Sequence, residues 1–172
     1  MDLSKDLNIK KRLKSGLNQQ AKHNRDGSMD FKISNYYMFF RTSGNTDIID
    51  ITPHVSSKVI ESGLAEGQVL IFVPGSTAAV TTIEYENGVV LDLKEAIERL
   101  APKGIPYRHD ARWGDGNGYA HVRAALLGPS LTVPLIKSRL ILGTWQQIVL
   151  VDFDNEQRDR KVLVSISGFQ SP

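Results

Sequence analysis

The order of apolar and polar positions divides the chain into strands and helices before any single residue is considered. From Phe31 to Thr42 an aromatic-rich run predicts one long strand, and Ser43-Gly44-Asn45 turns it into a second strand from Asp47 to Thr52. The two read as a hairpin. Thr52-Pro53 then opens a helix, with Thr52 as its expected N-cap and Pro53 in its first position. Val55, Val59 and Ile60 supply the apolar stripe of that helix and Gly63 ends it; His54 falls in the first turn, on the surface. Gln68 to Val73 is a continuous apolar run, which predicts a buried strand. Pro74-Gly75-Ser76-Thr77 interrupts it, and Ala78 to Tyr85 resumes in extended form. There Glu84 and Glu86 alternate with Ile83 and Tyr85, either as surface charges or with one carboxylate facing the opening made by the break.

Leu91 to Leu100 carries Leu93, Ile97 and Leu100 at helical spacing, with charges on the other face. Asp115-Gly116-Asn117-Gly118 is a turn, and Asn117 stands where it can cap a helix from Gly118 to Leu127. After Gly128-Pro129-Ser130 come strands at Leu131–Ile136, Leu140–Leu142, Gln146–Asp154 and Lys161–Ser167, expected to pair in sequence as an antiparallel sheet. The sum is an α+β fold: mostly antiparallel sheet with two to three helices in a single compact domain.

Charge changes the picture at one end only. Residues 1–28 hold seven Lys or Arg against three Asp, a net +4, so residues 29–172 carry 14 basic and 16 acidic groups, a net −2. With Gly27-Ser28 ahead of Met29, residues 1–28 read as an appended or engineered leader, and residues 29–172 as the folded domain. A native basic arm for RNA or a partner, and a peptide that drives assembly, are the other readings of the leader. Nucleic acid is otherwise not an expected partner, because the body of the chain is not basic. No apolar run is long enough to span a membrane, and no secretory h-region is present, so a cytoplasmic protein is expected. The absence of cysteine removes disulfides, thiolate metal sites and thiol nucleophiles.

Candidate chemistry concentrates between Tyr107 and Gln147, which holds two of the four histidines, both tryptophans and several glycine turns. His109, Asp115 and His121 are the groups there that can move a proton or ligate a metal. His121 shares a helical face with Ala124, Ala125 and Gly128, small residues that allow close packing or leave room for a ligand. The amides of Gly116, Asn117 and Gly118, at a helix N-terminus, suit a phosphate, with Arg108, Arg112 or Arg123 adding charge. Trp145 and Gln146 could line the same pocket, with a core position as the alternative for the tryptophan.

Four blocks together resemble the YjbQ-like family of small proteins described as secondary thiamine-phosphate synthases. They are ITPHV at 51–55, VPGSTAAVTTIEYE at 73–86, WGDGNGYAHVRAALLGPSLTVP at 113–134 and GTWQQIVLVDFD at 143–154, and the resemblance extends over 32–166. It implies a homotrimer with sites near subunit interfaces. It also implies a transferase activity that joins a pyrimidine pyrophosphate to a thiazole phosphate. The family's Asp-x-Asn-x-x-x-His block falls on Asp115, Asn117 and His121, its Ser/Thr turn on Ser76 and Thr77, its downstream serine on Ser130, and its Trp-Gln on Trp145 and Gln146. One departure stands at Gly75, where many relatives carry a histidine. Pyrophosphate chemistry adds the expectation of a divalent ion, Mg or Zn, held by His109, Asp115 and His121. Two other functions fit the residues: a metal- or small-molecule-binding module without turnover, and a trimeric scaffold carrying an assembly peptide.

Overall fold

The computed structural model describes residues 30–170, so the expected leader at 1–28 lies outside the described residues. The elements run β1 (Lys32–Thr42), β2 (Asp47–Asp50), α1 (Thr52–Ser62), β3 (Leu64–Phe72), β4 (Ala78–Ile83), α2 (Asn87–Leu100), α3 (Arg108–Trp113), α4 (Gly118–Leu127), β5 (Ser130–Ile136), β6 (Arg139–Leu140), β7 (Gln147–Asp152) and β8 (Arg158–Gln170). They build two antiparallel sheets, β1-β8-β3-β5-β6 and β2-β7-β4. The α+β expectation holds, with the short α3 as an additional helix. Among the described residues no helix is long and apolar enough to cross a membrane.

Pairing corrects two expectations. β1 and β2 are not a hairpin: β1 pairs with β8 and β2 with β7, in different sheets. The strands after Gly128 do not form one consecutive sheet either. Only β5 and β6 do so, through a tight turn at Lys137 and Ser138, both at positive φ, whereas β7 crosses to the small sheet and β8 returns between β1 and β3. Long-range pairing of this kind leaves no local signal, because adjacent strands and crossing strands have the same alternation.

The small sheet is buried on both faces, which explains why its central strand β7 reads as an unbroken apolar run. Ile148 and Leu150 join a core shared with Val69, Ile71, Leu135, Val164 and Ile166 of the large sheet and Val55 and Val59 of α1. Val149 and Val151 point the other way, into a second core with Ile97 of α2 and Tyr119, Ala120 and Ala124 of α4. The layers are therefore large sheet, small sheet and helices. Among the described residues nothing covers the outer face of the large sheet, where Phe31, just before β1, and Ile33, Tyr37 and Phe39 on it stand exposed.

Helix ends adjust by a residue or more. Thr52 is not the N-cap of α1: its hydroxyl accepts from the Ile148 amide at 2.8 Å, and its own amide donates to Asp50 Oδ1 at 2.8 Å. The strand ladder competes for the side chain and wins. Gly63 closes α1 in the left-handed conformation as expected (φ 67°). Glu86 is neither a strand surface charge nor a pocket group. It caps α2, which begins earlier than predicted, by accepting from the amides of Gly88 and Val89; these bonds hold its carboxyl below the usual range. Glu84 is exposed. Where the large sheet is tightest, Gly67 faces Gly168 across β3 and β8, and a Cβ on either would lie within 2.0 Å of a backbone oxygen. Only glycine fits that crossing.

Candidate functional site

Two connections meet at the Ala78 end of the small sheet. The Pro74–Thr77 loop carries the chain from the large sheet to the small one, and Gly128-Pro129 leads from α4 back to β5. They are tied together by Val73 N to Pro129 O at 2.9 Å and Val80 N to Gly128 O at 3.1 Å. Between them and α4 lies a cavity of about 220 Å³ lined by Gly75, Ser76, Ala78, His121, Ala124, Ala125 and Pro129. The predicted small-residue face of the His121 helix is thus the wall of a pocket. Ser76 is exposed at its rim, and Ser130 follows directly after Pro129.

Behind His121 stands His109 from α3. The two rings lie 4.3 Å apart, tilted by 43°, and His109 Nε2 is 3.2 Å from Asp115 Oδ2. Gly114 lets α3 end in the left-handed conformation, with its amide bonded to Asp110 O at 2.8 Å, so the chain doubles back and brings Asp115 beside His109. The loop is anchored from outside by Asn155 Nδ2, which donates to Asp115 O at 2.8 Å. His109, Asp115 and His121 therefore come together from α3, a loop and α4.

They do so without the geometry of a metal site. The two imidazole rings lie against each other at a tilt, and Asp115 is turned to His109. Among the described residues no three His, Asp or Glu side chains converge to hold an ion. The expected Mg or Zn set does not fit the donors present among the described residues of one chain.

The anion site expected at the start of α4 is partly taken. The Gly118 amide donates to Asp110 Oδ1 at 2.7 Å, and Gly118 is packed so closely on Tyr107 that a Cβ would stand 2.5 Å from it. Asn117 sits at the N-cap position but makes no capping bond; it is buried with Oδ1 unpaired among the described residues. Arg123 is also committed. It lies buried against the Tyr119 ring and bonds Ala101 O, Thr46 Oγ1 and the Glu98 carboxylate. Arg108 and Arg112 are exposed on α3.

Trp145 and Gln146 lie elsewhere. Gln146 Nε2 donates to Thr82 Oγ1 at 2.9 Å, at the far end of β4 from Ala78, and six strand residues separate the ends by roughly 17 Å. Trp145 is 70% exposed, so within one chain it is neither a core anchor nor a pocket wall.

What sequence reasoning missed is a buried charge cluster beneath the pocket. Arg160 Nε and Nη2 grip the two oxygens of Asp152, each at 2.6 Å, and Nη2 also donates to Thr77 Oγ1 at 2.8 Å. Thr77 donates in turn to Asp154 Oδ2 at 2.9 Å, Arg158 Nη2 reaches Asp154 Oδ1 at 3.1 Å, and the Thr42 hydroxyl binds Asp152. Burial pushes the Asp154 carboxyl up, but the bonds from Arg158 and Thr77 outweigh it and hold the group below its usual range. A signal was present: Asp152 and Asp154, and Arg158 and Arg160, repeat at a spacing of two beside buried strands, which puts each pair on one face.

The family model described as UPF0047 protein YjbQ-like matches residues 36–169. A UPF0047 protein of Archaeoglobus fulgidus is 41% identical over 124 residues, covering 72% of this chain and 94% of the relative. The UPF0047 protein YugU of Bacillus subtilis is 33% identical over 129 residues, 74% of this chain and 95% of the relative. Among solved structures, a YbjQ-like protein of unknown function from Sulfolobus solfataricus P2 superposes with TM-score 0.77 at 32% identity, covering 81% of this chain and 99% of that one. An uncharacterized conserved protein of the yjbq/upf0047 family from Clostridium acetobutylicum gives TM-score 0.70 at 36% identity, covering 76% and 98%.

Proposed function

The chain belongs to the UPF0047 YjbQ-like family, and from that premise we propose that it is a cytoplasmic homotrimer with weak transferase activity of the thiamine-phosphate synthase type. The reaction joins a hydroxymethylpyrimidine pyrophosphate to a thiazole phosphate and releases pyrophosphate. The observation that carries the reading is the alignment of Asp115, His109 and His121, in which only His121 reaches the cavity. His121 is the group that meets the substrate and holds or moves a proton. His109 supports its ring, and Asp115 orients His109 from behind. Pyrophosphate leaving with its electron pair needs positive charge or donors, which the exposed Arg108 and Arg112 and the amides of Gly116 and Asn117 supply from the α3–α4 side.

Self-association is supported by the uncovered face of the large sheet, since exposed apolar surface on this scale marks an interaction site. Mass measurement in solution is expected to give three chains. A particle of tens of chains would favour the scaffold reading instead.

The assay is thiamine-phosphate formation by the purified protein and by His121→Ala. The variant is expected to lose about 100-fold or more in rate, the size of a general acid or base contribution. Equal rates would remove His121 from the chemistry. Gly75, standing where many relatives carry a histidine, favours one rival, a metal- or small-molecule-binding module without turnover. That rival predicts no product from either protein, together with a rise in melting temperature on adding the phosphorylated ligands.

A further inference from the structure

The most committed residue near the pocket has one nitrogen left over. Arg160 is only 9% exposed, with Nε and Nη2 fixed by Asp152 and Thr77, but Nη1 makes no hydrogen bond among the described residues. An N–H with no protein acceptor remains available to a ligand, and its direction is set by the bidentate grip on Asp152. That direction is toward Gly75: a Cβ built there would stand 3.4 Å from Nη1. Gly75 lines the cavity and holds φ at +128°, where residues with side chains are strained. Glycine thus leaves the path from the cavity to the guanidinium clear.

The rest of the lining gives the other half of the ligand. Ala78, Ala124, Ala125 and Pro129 are small and apolar, and Ser76 and His121 are the only hydrogen-bonding side chains on the wall. Arg158 and Arg160 balance Asp152 and Asp154, so an arriving anion meets a directed donor in a neutral cluster rather than a net positive field. We propose that Arg160 Nη1, reached past Gly75, is the anion-binding end of the pocket, and that the pocket takes a compact molecule with an apolar ring at one end and a single phosphate at the other. This rests on the reading of the His121 cavity as the substrate site. It gives a single phosphate its own place on the floor under Gly75, apart from the start of α4, where Asp110 already occupies the Gly118 amide.

The test uses the full chain and three probes in calorimetric titration: phenyl phosphate, inorganic phosphate and phenol. Phenyl phosphate is expected to bind at least about tenfold tighter than inorganic phosphate, with phenol undetectable, because ring burial and the charge-assisted bond are both needed. Gly75→Ala, which places a methyl group against Nη1, is expected to weaken phenyl phosphate at least about tenfold. The far-UV spectrum of that variant serves as a fold check. Should Gly75→Ala fail to fold, the probe series on the unaltered chain decides: phenyl phosphate no tighter than inorganic phosphate overturns the proposal. Binding that falls in His121→Ala but is unchanged in a folded Gly75→Ala overturns this subsite and leaves the pocket standing. Binding indifferent to both variants overturns the pocket itself.

Discussion

Two polar clusters occupy the same end of the small sheet, and they differ in how fully their members are engaged. Around Asp152 and Asp154, two carboxylates meet two guanidinium groups and two threonine hydroxyls, and all four carboxylate oxygens accept hydrogen bonds. Around His121 the two imidazoles are half-buried and tilted against each other without a hydrogen bond, and only the exposed Asp115 and His109 form a pair. A saturated polar cluster specifies packing; an unsaturated one at a cavity is available to a ligand. Arg160 belongs to both, since two of its nitrogens serve the first cluster and the third faces the second.

The sharpest way to break the comparison is Asp152→Ala. It leaves Arg160 buried without its main partner, which costs about 3–5 kcal/mol and lowers the melting temperature by roughly 10 °C in calorimetry. A drop of only a degree or two would mean that the cluster is not structural. Next in size is the acid response. Asp154 has a folded carboxyl below its unfolded value, so its stabilisation is fully present above the ordinary carboxylate range and is lost as pH falls through the lowered value. Melting temperature followed from neutral to acid pH should fall more steeply for the native chain than for Asp154→Asn; parallel curves would contradict the pairing. Third, His121→Ala should change stability by no more than about 1 kcal/mol while abolishing the pocket's function, since its side chain is half-exposed and unbonded. Smallest is Trp145→Ala, expected within about 0.5 kcal/mol in an isolated chain. A larger shift that depends on protein concentration would place Trp145 in a contact between copies.

Local pattern carried the elements well. The helix from Gly118 to Leu127 was legible to the residue, because Asp-Gly-Asn-Gly and Gly-Pro bracket an uninterrupted helical stretch. The His121, Ala124, Ala125 face was legible for the same reason, as helical spacing is a local property. The short helix at Arg108–Trp113 was not foreseen; it is too brief for periodicity to show, and it is what turns His109 toward Asp115. Thr52 and Glu86 departed from their expected roles because a side-chain oxygen near a helix start takes the amide within reach, that of strand residue Ile148 for Thr52 and those of Gly88 and Val89 in the helix itself for Glu86. Trp145 and Gln146 look adjacent to the site in sequence but sit a strand's length away, since β7 runs antiparallel to β4 and carries its start to the opposite end.

By itself the sequence determined most of the strands and helices, the glycine turns that bound them, and that the reactive side chains gather between Tyr107 and Gln147. Periodicity and turn chemistry act over a few residues, so one chain's text suffices for them. Tertiary structure alone decided that β1 and β2 part company, that Arg160 lies under Gly75, and that His109 backs His121 while Trp145 does not. Those are contacts between residues far apart in the chain, set by strand crossing and by which charges find partners in the core, and no local pattern encodes them.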